Sequence, residues 1–251
     1  MSPHKTEYWI YPKIEDENEF VERLEKIGTV YKESLKPEPG FRLSCSDEKT
    51  GIQAIEHLKV EGMVPGRLER KDPEYVRNGS LCLIAARDVS SGKIRSYSIG
   101  ETRKEEDYLN HIKAIVATEP ESNHVIVCDQ LNTHKSASLV EWVAEQIGFE
   151  GDLGVKRRKG ILGSMKSRME FLEDPSHRIR FLFTPKHCSW MNQIEIWFAF
   201  LQRRVIKRGQ FQSKNELENK MKEFISYYDF CLAAPYNWNF QGESYRMRIM
   251  K

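Results

Sequence analysis

Asp47, Asp129 and Glu195 are the acidic residues whose surroundings suit catalysis. Asp47 follows a short strand-like run at residues 41–46, and Asp129 closes the apolar run at residues 125–128. Glu195 lies in the first turn of a helical stripe made by Ile194, Trp197, Phe198, Leu201 and Val205. Ligands of open α/β sheets collect at the carboxyl ends of strands, which is where this reading puts Asp47 and Asp129. Glu195 borders a buried stripe, and a carboxylate there needs a partner that a bound cation can supply. Three converging carboxylates suit a hard divalent ion such as Mg²⁺ or Mn²⁺, which takes oxygen ligands and keeps some of its waters. Two such ions can activate the attacking oxygen and stabilise the leaving oxygen of a phosphodiester. Spacing alone is a weak signal, because the chain has 37 acidic residues and most acids sit on solvated faces.

The elements that must position these acids follow from periodicity. Phe20, Leu24, Ile27 and Tyr31 recur at helical spacing behind a capping Asp16. Pro37, Pro39 and Gly40 then break the chain. Residues 60–79 form an extended excursion. The buried run at residues 81–86 and the alternating run at residues 93–100 read as a hairpin across the turn at 89–92. Thr102 with Glu105 is a capping-box pattern, ahead of a helix face made by Tyr108, Leu109, Ile112, Ile115 and Val116. A central strand at 125–128, a helix stopped at Gly148, a strand at 179–183 and two terminal helices complete the order. Ser213 and Glu216 form a second capping-box pattern. A hairpin followed by strand–helix alternation predicts an α/β fold with a mixed sheet and flanking helices.

Composition excludes other classes. The 251 residues carry a net charge of +2 and 11% aromatics, which is neither a disordered chain nor a histone-like polycation. No apolar run reaches a membrane span, and the first residues lack a secretory signal's apolar core. Five cysteines with no C-x-x-C pair argue against a disulfide framework or a zinc knuckle and fit a reducing cytoplasm.

Local sequence adds a family. The ordered blocks are SPHK (2–5), SCSDEKTGIQAIE (44–56), EYVRNGS (74–80), VIVCDQLNTHKS (125–136), TPKHCSWMNQIEIWF (184–198) and APYNW (234–238). Together they resemble the catalytic domain of DDE transposases, in the mariner-like group of bacterial insertion-sequence transposases. The resemblance implies an RNase H-like domain over residues 41–251, preceded by an arm and helix at 1–40. It implies Asp47, Asp129 and Glu195 as the catalytic and metal-binding triad, with two Mg²⁺ or Mn²⁺ ions. It also implies cut-and-paste DNA transposition, in which water cuts at the transposon end and the freed 3′-hydroxyl attacks target DNA at a TA step. The partners implied are DNA, a second copy of the chain, and a helix-turn-helix module for end recognition that these 251 residues do not contain; the compartment implied is the bacterial cytoplasm, on the nucleoid. Two features depart from the family: Gln130 stands where Asn is usual, and 65 residues separate Asp129 from Glu195, with the extra length at residues 151–175.

Further residues carry open readings. Asn192 shares the Glu195 helix face, so it orients Glu195 or a metal-bound water, or simply caps the helix. His134 reaches a phosphate or a metal's outer sphere, or is a surface loop histidine. Lys186 and His187 are expected at DNA phosphates, as is the dense run Lys156, Arg157, Arg158 and Lys159. Glu48 reads as solvated or as a neighbour of the ligands. Trp190, Trp197 and Phe198 read as core anchors. Two functions compete with transposition: an inactive remnant that only binds DNA, and another RNase H-like nuclease.

Overall fold

The computed structural model describes Ile14 and residues 16–240; the SPHK block lies outside them. Helix α1 (Glu17–Glu33) opens behind Asp16, whose carboxylate accepts from the backbone N–H groups of Asn18 and Glu19, satisfying orphan donors of the first turn. Strand β1 (Phe41–His57) follows, then a small ribbon of β2 (Val60–Glu61) and β3 (Arg70–Lys71). Strands β4 (Tyr75–Asp88) and β5 (Ile94–Gly100) lead into α2 (Glu105–Ala117). Strand β6 (Asn123–Cys128), helices α3 (Ala137–Ile147) and α4 (Met165–Leu172), and strand β7 (Ile179–Phe183) come next. Helix α5 (Gln193–Leu201) runs into one π-helical turn at Gln202–Ile206, and α6 (Lys214–Cys231) ends the sequence of elements.

The main sheet has the order β5-β4-β1-β6-β7. β4 is antiparallel to β1 and β5, whereas β6 is parallel to β1 and β7. Alternation along each strand sends side chains to two separate cores. Leu43, Cys45, Leu83, Val125, Val127 and Leu182 meet α1, α5 and α6 on one face. Cys82, Ile84, Ile126, Phe181 and Phe183 meet α2, α3 and α4 on the other. The result is a sheet covered on both faces, which explains the continuous apolar runs in β4 and β6. Gly148 ends α3 in the left-handed conformation at φ 68°, where a glycine avoids the Cβ clash.

Three local expectations are corrected. β1 does not stop before Asp47: it runs on to His57, because its second half keeps pairing with β4 after the ladder to β6 has ended at Cys45. The α2 cap is Lys104 with Asp107, not Thr102 with Glu105; the Asp107 carboxylate accepts from the Lys104 N–H and the Thr102 hydroxyl. Trp190 is 44% exposed, while Trp197 and Phe198 are core residues. Trp190 falls in the loop before α5 and packs edge-on against Phe240. Among the described residues no helix is long and apolar enough to cross a membrane.

Candidate active site

β1 and β6 run parallel side by side only as far as Cys45 and Val127. Beyond that point the two backbones open a notch, and Asp47 and Asp129 stand at its edges. Asp47 has the parity of Leu43 and Cys45 and therefore belongs to the α5 face; Glu48, the next residue, belongs to the α2/α3 face. Asp129 follows β6 directly and turns the chain: its Oδ1 accepts from the Leu131 N–H at 2.9 Å. A short 3₁₀ turn, Asn132–Lys135, then brings His134 back beneath it. Ligand atoms of Asp47, Asp129 and His134 lie within 4.8 Å of one another.

His134 is fully buried and held at both ring nitrogens. Nδ1 is 2.8 Å from Asp129 Oδ1, and Nε2 is 3.1 Å from both oxygens of Glu48, itself a buried side chain. The Tyr108 ring lies 4.0 Å from the imidazole, centroid to centroid. Burial works against a charged imidazole here, but contacts with Asp129, Cys128 and Glu48 outweigh it and hold His134 well above its ordinary pKa. The same partnership holds Asp129 below the usual carboxylate range despite its burial. Asp47 has no hydrogen-bonded cation among the described residues, and the nearby His134 charge favours its ionised form only weakly. Burial first, and the Asp129 charge second, push it up to about 8. Its carboxylate accepts from the Glu48 N–H at 2.8 Å and from Asn192 Nδ2 at 3.2 Å.

Asn192 sits at the start of α5 but does not cap it with its side chain. It is fully buried, and Nδ2 donates to the Ser46 carbonyl and to Asp47. It is thus tied to Asp47 rather than to Glu195, and its own Oδ1 is buried without a partner. Glu195 is half-buried on the first turn of α5 and lies outside the Asp47–Asp129–His134 group. Burial raises its pKa; Lys49 opposes and the Asp129 charge adds to the rise. Gln130 spans to the end of β7, donating to the Thr184 carbonyl at 3.0 Å.

Lys186 and His187 are exposed in the loop between β7 and α5, with His187 at φ 63°. The run Lys156–Lys159 forms a separate exposed turn closed by a Val155–Lys159 bridge. Lys156 approaches Glu105 at 4.0 Å, and Glu105 accepts from the Ser138 hydroxyl. Glu105 and Ser138 lie at the N-termini of α2 and α3, so this turn stands on the same edge of the sheet as the acids. Arg168, from the same insertion, is buried and donates to the Leu162 and Lys135 carbonyls.

Two supporting residues had no sequence signal. Arg87 is fully buried, donates to Gln193 Oε1 at 2.8 Å and to the Ala234 carbonyl at 2.7 Å, and stacks on Tyr236 at 3.7 Å. Tyr108 reads from sequence only as a helix-face apolar residue. The APYNW block, by contrast, does mark the strap that Arg87 holds.

The donor set fits a hard divalent cation. Asp47 and Asp129 offer carboxylate oxygens, Asp47 is a buried acid with no cation of its own, and a buried amide oxygen beside it lacks a donor. The strand order, with the paired acids where its antiparallel and parallel halves meet, is that of an RNase H-like fold. Over residues 42–218 the sequence matches the DDE superfamily endonuclease family, and the chain belongs to it. No curated protein matches the sequence. Among solved structures the chain is similar to the pre-cleavage Mos1 transpososome, at 13% identity and TM-score 0.53. It is also similar to the Mos1 transposase paired-end complex with the left transposon end, at 14% and 0.52, and to the Mos1 mariner paired-end complex with Mn, at 14% and 0.50. Each match covers 89% of this chain and 59% of the Mos1 chain, and at these identities the likeness is one of fold.

Proposed function

We propose that this chain is the catalytic domain of a DNA transposase that cuts phosphodiesters at transposon ends and joins the freed 3′-hydroxyl to target DNA. The observation that carries the reading is the notch between β1 and β6, where Asp47 and Asp129 are brought together and the chain supplies one imidazole for three carboxylates. The family is one of endonucleases, and the similar folds are of a transposase in complexes with a transposon end and with Mn.

In this reading Asp47, Asp129 and Glu195 hold two Mg²⁺ or Mn²⁺ ions. When bound, such ions supply the Lewis acidity that phosphoryl transfer requires. His134 orients Asp129 instead of joining the ligands, since both its nitrogens are occupied and hard cations prefer oxygen. Asn192 fixes Asp47 against the start of α5, which couples the first acid to the helix that carries the third. Both chemical steps are in-line displacements at phosphorus: water displaces the 3′ oxygen first, and the 3′-hydroxyl repeats the displacement on the target strand. Lys156, Arg157, Arg158 and Lys159 contact DNA phosphates on the edge that the acids share. The reading extends to a homodimer that handles two ends, a TA target step, a helix-turn-helix module for end recognition, and a bacterial cytoplasmic setting.

The test is nicking of supercoiled plasmid with Mn²⁺, Mg²⁺ or EDTA, for wild type and Asp129→Ala. Nicking that requires the metal and disappears in the variant supports the reading. Metal-independent nicking, or nicking that survives in Asp129→Ala, overturns it.

A further inference from the structure

A groove of about 730 Å³ opens beside the acids, walled by α1, α4 and the loops that leave β6 and β7. Gln130, next to Asp129 in the chain, lines it together with Lys135 and Lys186. Lys135 is only 7% exposed, yet its ammonium has no carboxylate within ion-pair distance among the described residues; it lies over the Phe183 ring at 5.8 Å. Lys186 likewise has no acidic partner among the described residues. Arg23, on the α1 wall, is committed to Glu19 and Glu173. Burial first disfavours the charge on Lys135; Cys128 and the more distant Asp129 carboxylate support it, and Lys186 and Arg23 are close enough to oppose it. Unpaired cations kept together in a half-buried groove need an anion.

The rest of the groove limits what that anion carries. Met165, Met169 and Pro185 give it an apolar wall, with Met165 40% exposed. Its lining also includes Asp16, Glu19 and Glu170, of which Asp16 caps α1, Glu19 pairs with Arg23 and Glu170 with Lys166. A phosphate backbone running past them would find acids and, among the described residues, no free cation there, whereas a strand that ends between Lys135 and Lys186 would not pass them. The reaction itself makes such an end. Hydrolysis adds the oxygen of water to phosphorus and breaks the P–O3′ bond; the 3′ oxygen leaves as a hydroxyl, and the other product carries a 5′-phosphate.

We infer that this groove is the site of the departing strand's 5′-terminal nucleotide, with the 5′-phosphate between Lys135 and Lys186 and the base against Met165, Met169 and Pro185. The inference rests on the proposed hydrolysis of DNA. Holding the dianionic end keeps the product in place and keeps its phosphate away from the 3′-hydroxyl that acts next.

The experiment uses the whole chain and a duplex oligonucleotide with a single nick, bearing either a 5′-phosphate or a 5′-hydroxyl, in Ca²⁺. The 5′-phosphate duplex should bind about tenfold tighter, as expected for one charge-assisted contact with a desolvated cation. That ratio should fall to about one in Lys135→Ala and in Lys186→Ala; Lys186 is exposed, so its variant keeps the fold. Met169→Ala should weaken both duplexes and leave the ratio intact. Equal binding of the two ends by wild type overturns the site, as does a ratio that persists in both lysine variants. Metal-dependent nicking without a phosphate preference removes the groove and keeps the catalytic reading. A phosphate preference in a chain that nicks nothing keeps the phosphate site and removes its link to hydrolysis.

Discussion

The two faces of the sheet treat consecutive carboxylates in opposite ways. Glu48 points to the α2/α3 face and meets the buried His134 through both its oxygens. Asp47 points to the α5 face and meets Asp129 and an amide. One side is a closed ion-pair network under the Tyr108 ring; the other is an acid that burial and a neighbouring charge have pushed up to about 8. Asp129 stands between them and takes its compensation from His134. The chain therefore neutralises the α2/α3 side with its own imidazole and leaves a charge deficit on the Asp47 side. That asymmetry marks where an external cation would be held, and each side can be broken separately.

The largest effect is on activity, where the two sides should behave alike. In the proposed reading both acids hold the ions, so Asp47→Asn and Asp129→Asn should each remove all measurable metal-dependent nicking. Their stabilities should diverge. Asp129→Asn strips the buried His134 of a partner that is itself 39% exposed; solvent screens that pair, so the change should cost about 1 kcal/mol, read by urea unfolding in EDTA. Asp47→Asn removes the carboxylate that the fold resists ionising, so in EDTA at pH 9 it should be more stable than wild type. Equal losses of stability in both variants would erase the distinction between the two faces.

Breaking the closed side comes next. His134→Ala leaves Glu48 buried without its cation and should destabilise the fold by about 3 kcal/mol. Adding Glu48→Gln should recover part of that loss, since a neutral amide is cheaper to bury than an orphan charge. The stability supplied by His134 has a definite pH sense. Its folded pKa is raised, so the contribution is complete below the unfolded value of about 6.5 and is lost as pH rises through the folded value. If the double variant is no more stable than His134→Ala, the network is not an ion pair in the folded protein.

The open side predicts a smaller, graded effect. A folded pKa of about 8 for Asp47 lies above the unfolded value of about 3.9. The metal-free fold binds that proton more tightly than the unfolded chain, so it loses stability as pH rises from about 4 to about 8. Binding a divalent ion requires the proton to leave. Affinity for Mn²⁺ should rise about tenfold per pH unit between pH 6 and 8 and level off above. Calorimetry in two buffers of different ionisation enthalpy should find close to one proton released per site near pH 6.5. A flat pH profile would mean that Asp47 is already ionised in the metal-free protein.

The difference between the two sides also decides what sequence could show. The acids were legible because strands β1 and β6 announce themselves as apolar runs, and the block around each acid carries a family resemblance. The sheet and its layers were legible for the same reason, since the continuous apolar runs at residues 81–86 and 125–128 read as strands buried on both faces and the helical stripes supply the layers that cover them. Two kinds of feature were not. The extension of β1 past Asp47 depends on pairing with β4, and a non-local partner leaves no mark in residues 47–57 themselves. The role of Asn192 depends on three-dimensional reach across 145 residues to Asp47; on the helix alone it looks like a cap or a neighbour of Glu195. Likewise Asp107 outcompeted Glu105 for the α2 cap by also taking the Thr102 hydroxyl, a contact that spacing does not rank.

The smallest effect concerns what holds α5, and with it Glu195, against the notch. Tyr31 of α1 donates to the Met191 carbonyl at 2.7 Å, just before Asn192. From the other side Arg87 grips Gln193 and the strap at Ala234, and Tyr236 covers its guanidinium. The strap passes so close to Gly92, at φ 77°, that a Cβ there would lie 2.2 Å from the Ala234 oxygen. Arg87 is buried with no carboxylate partner in hydrogen-bond reach among the described residues, so the aromatic face and the two carbonyl acceptors are its compensation. Tyr236→Ala should remove a desolvated cation–π contact of about 1–2 kcal/mol and loosen the strap, while Asp47 and Asp129 keep their places on the strands. Nicking should fall about tenfold, while the thermal transition moves by only a few degrees. Tyr236→Phe keeps the ring and should restore both. Loss of activity in Tyr236→Phe as large as in Tyr236→Ala would assign the effect to the hydroxyl and not to the stacked face, and would remove the strap from the positioning of Glu195.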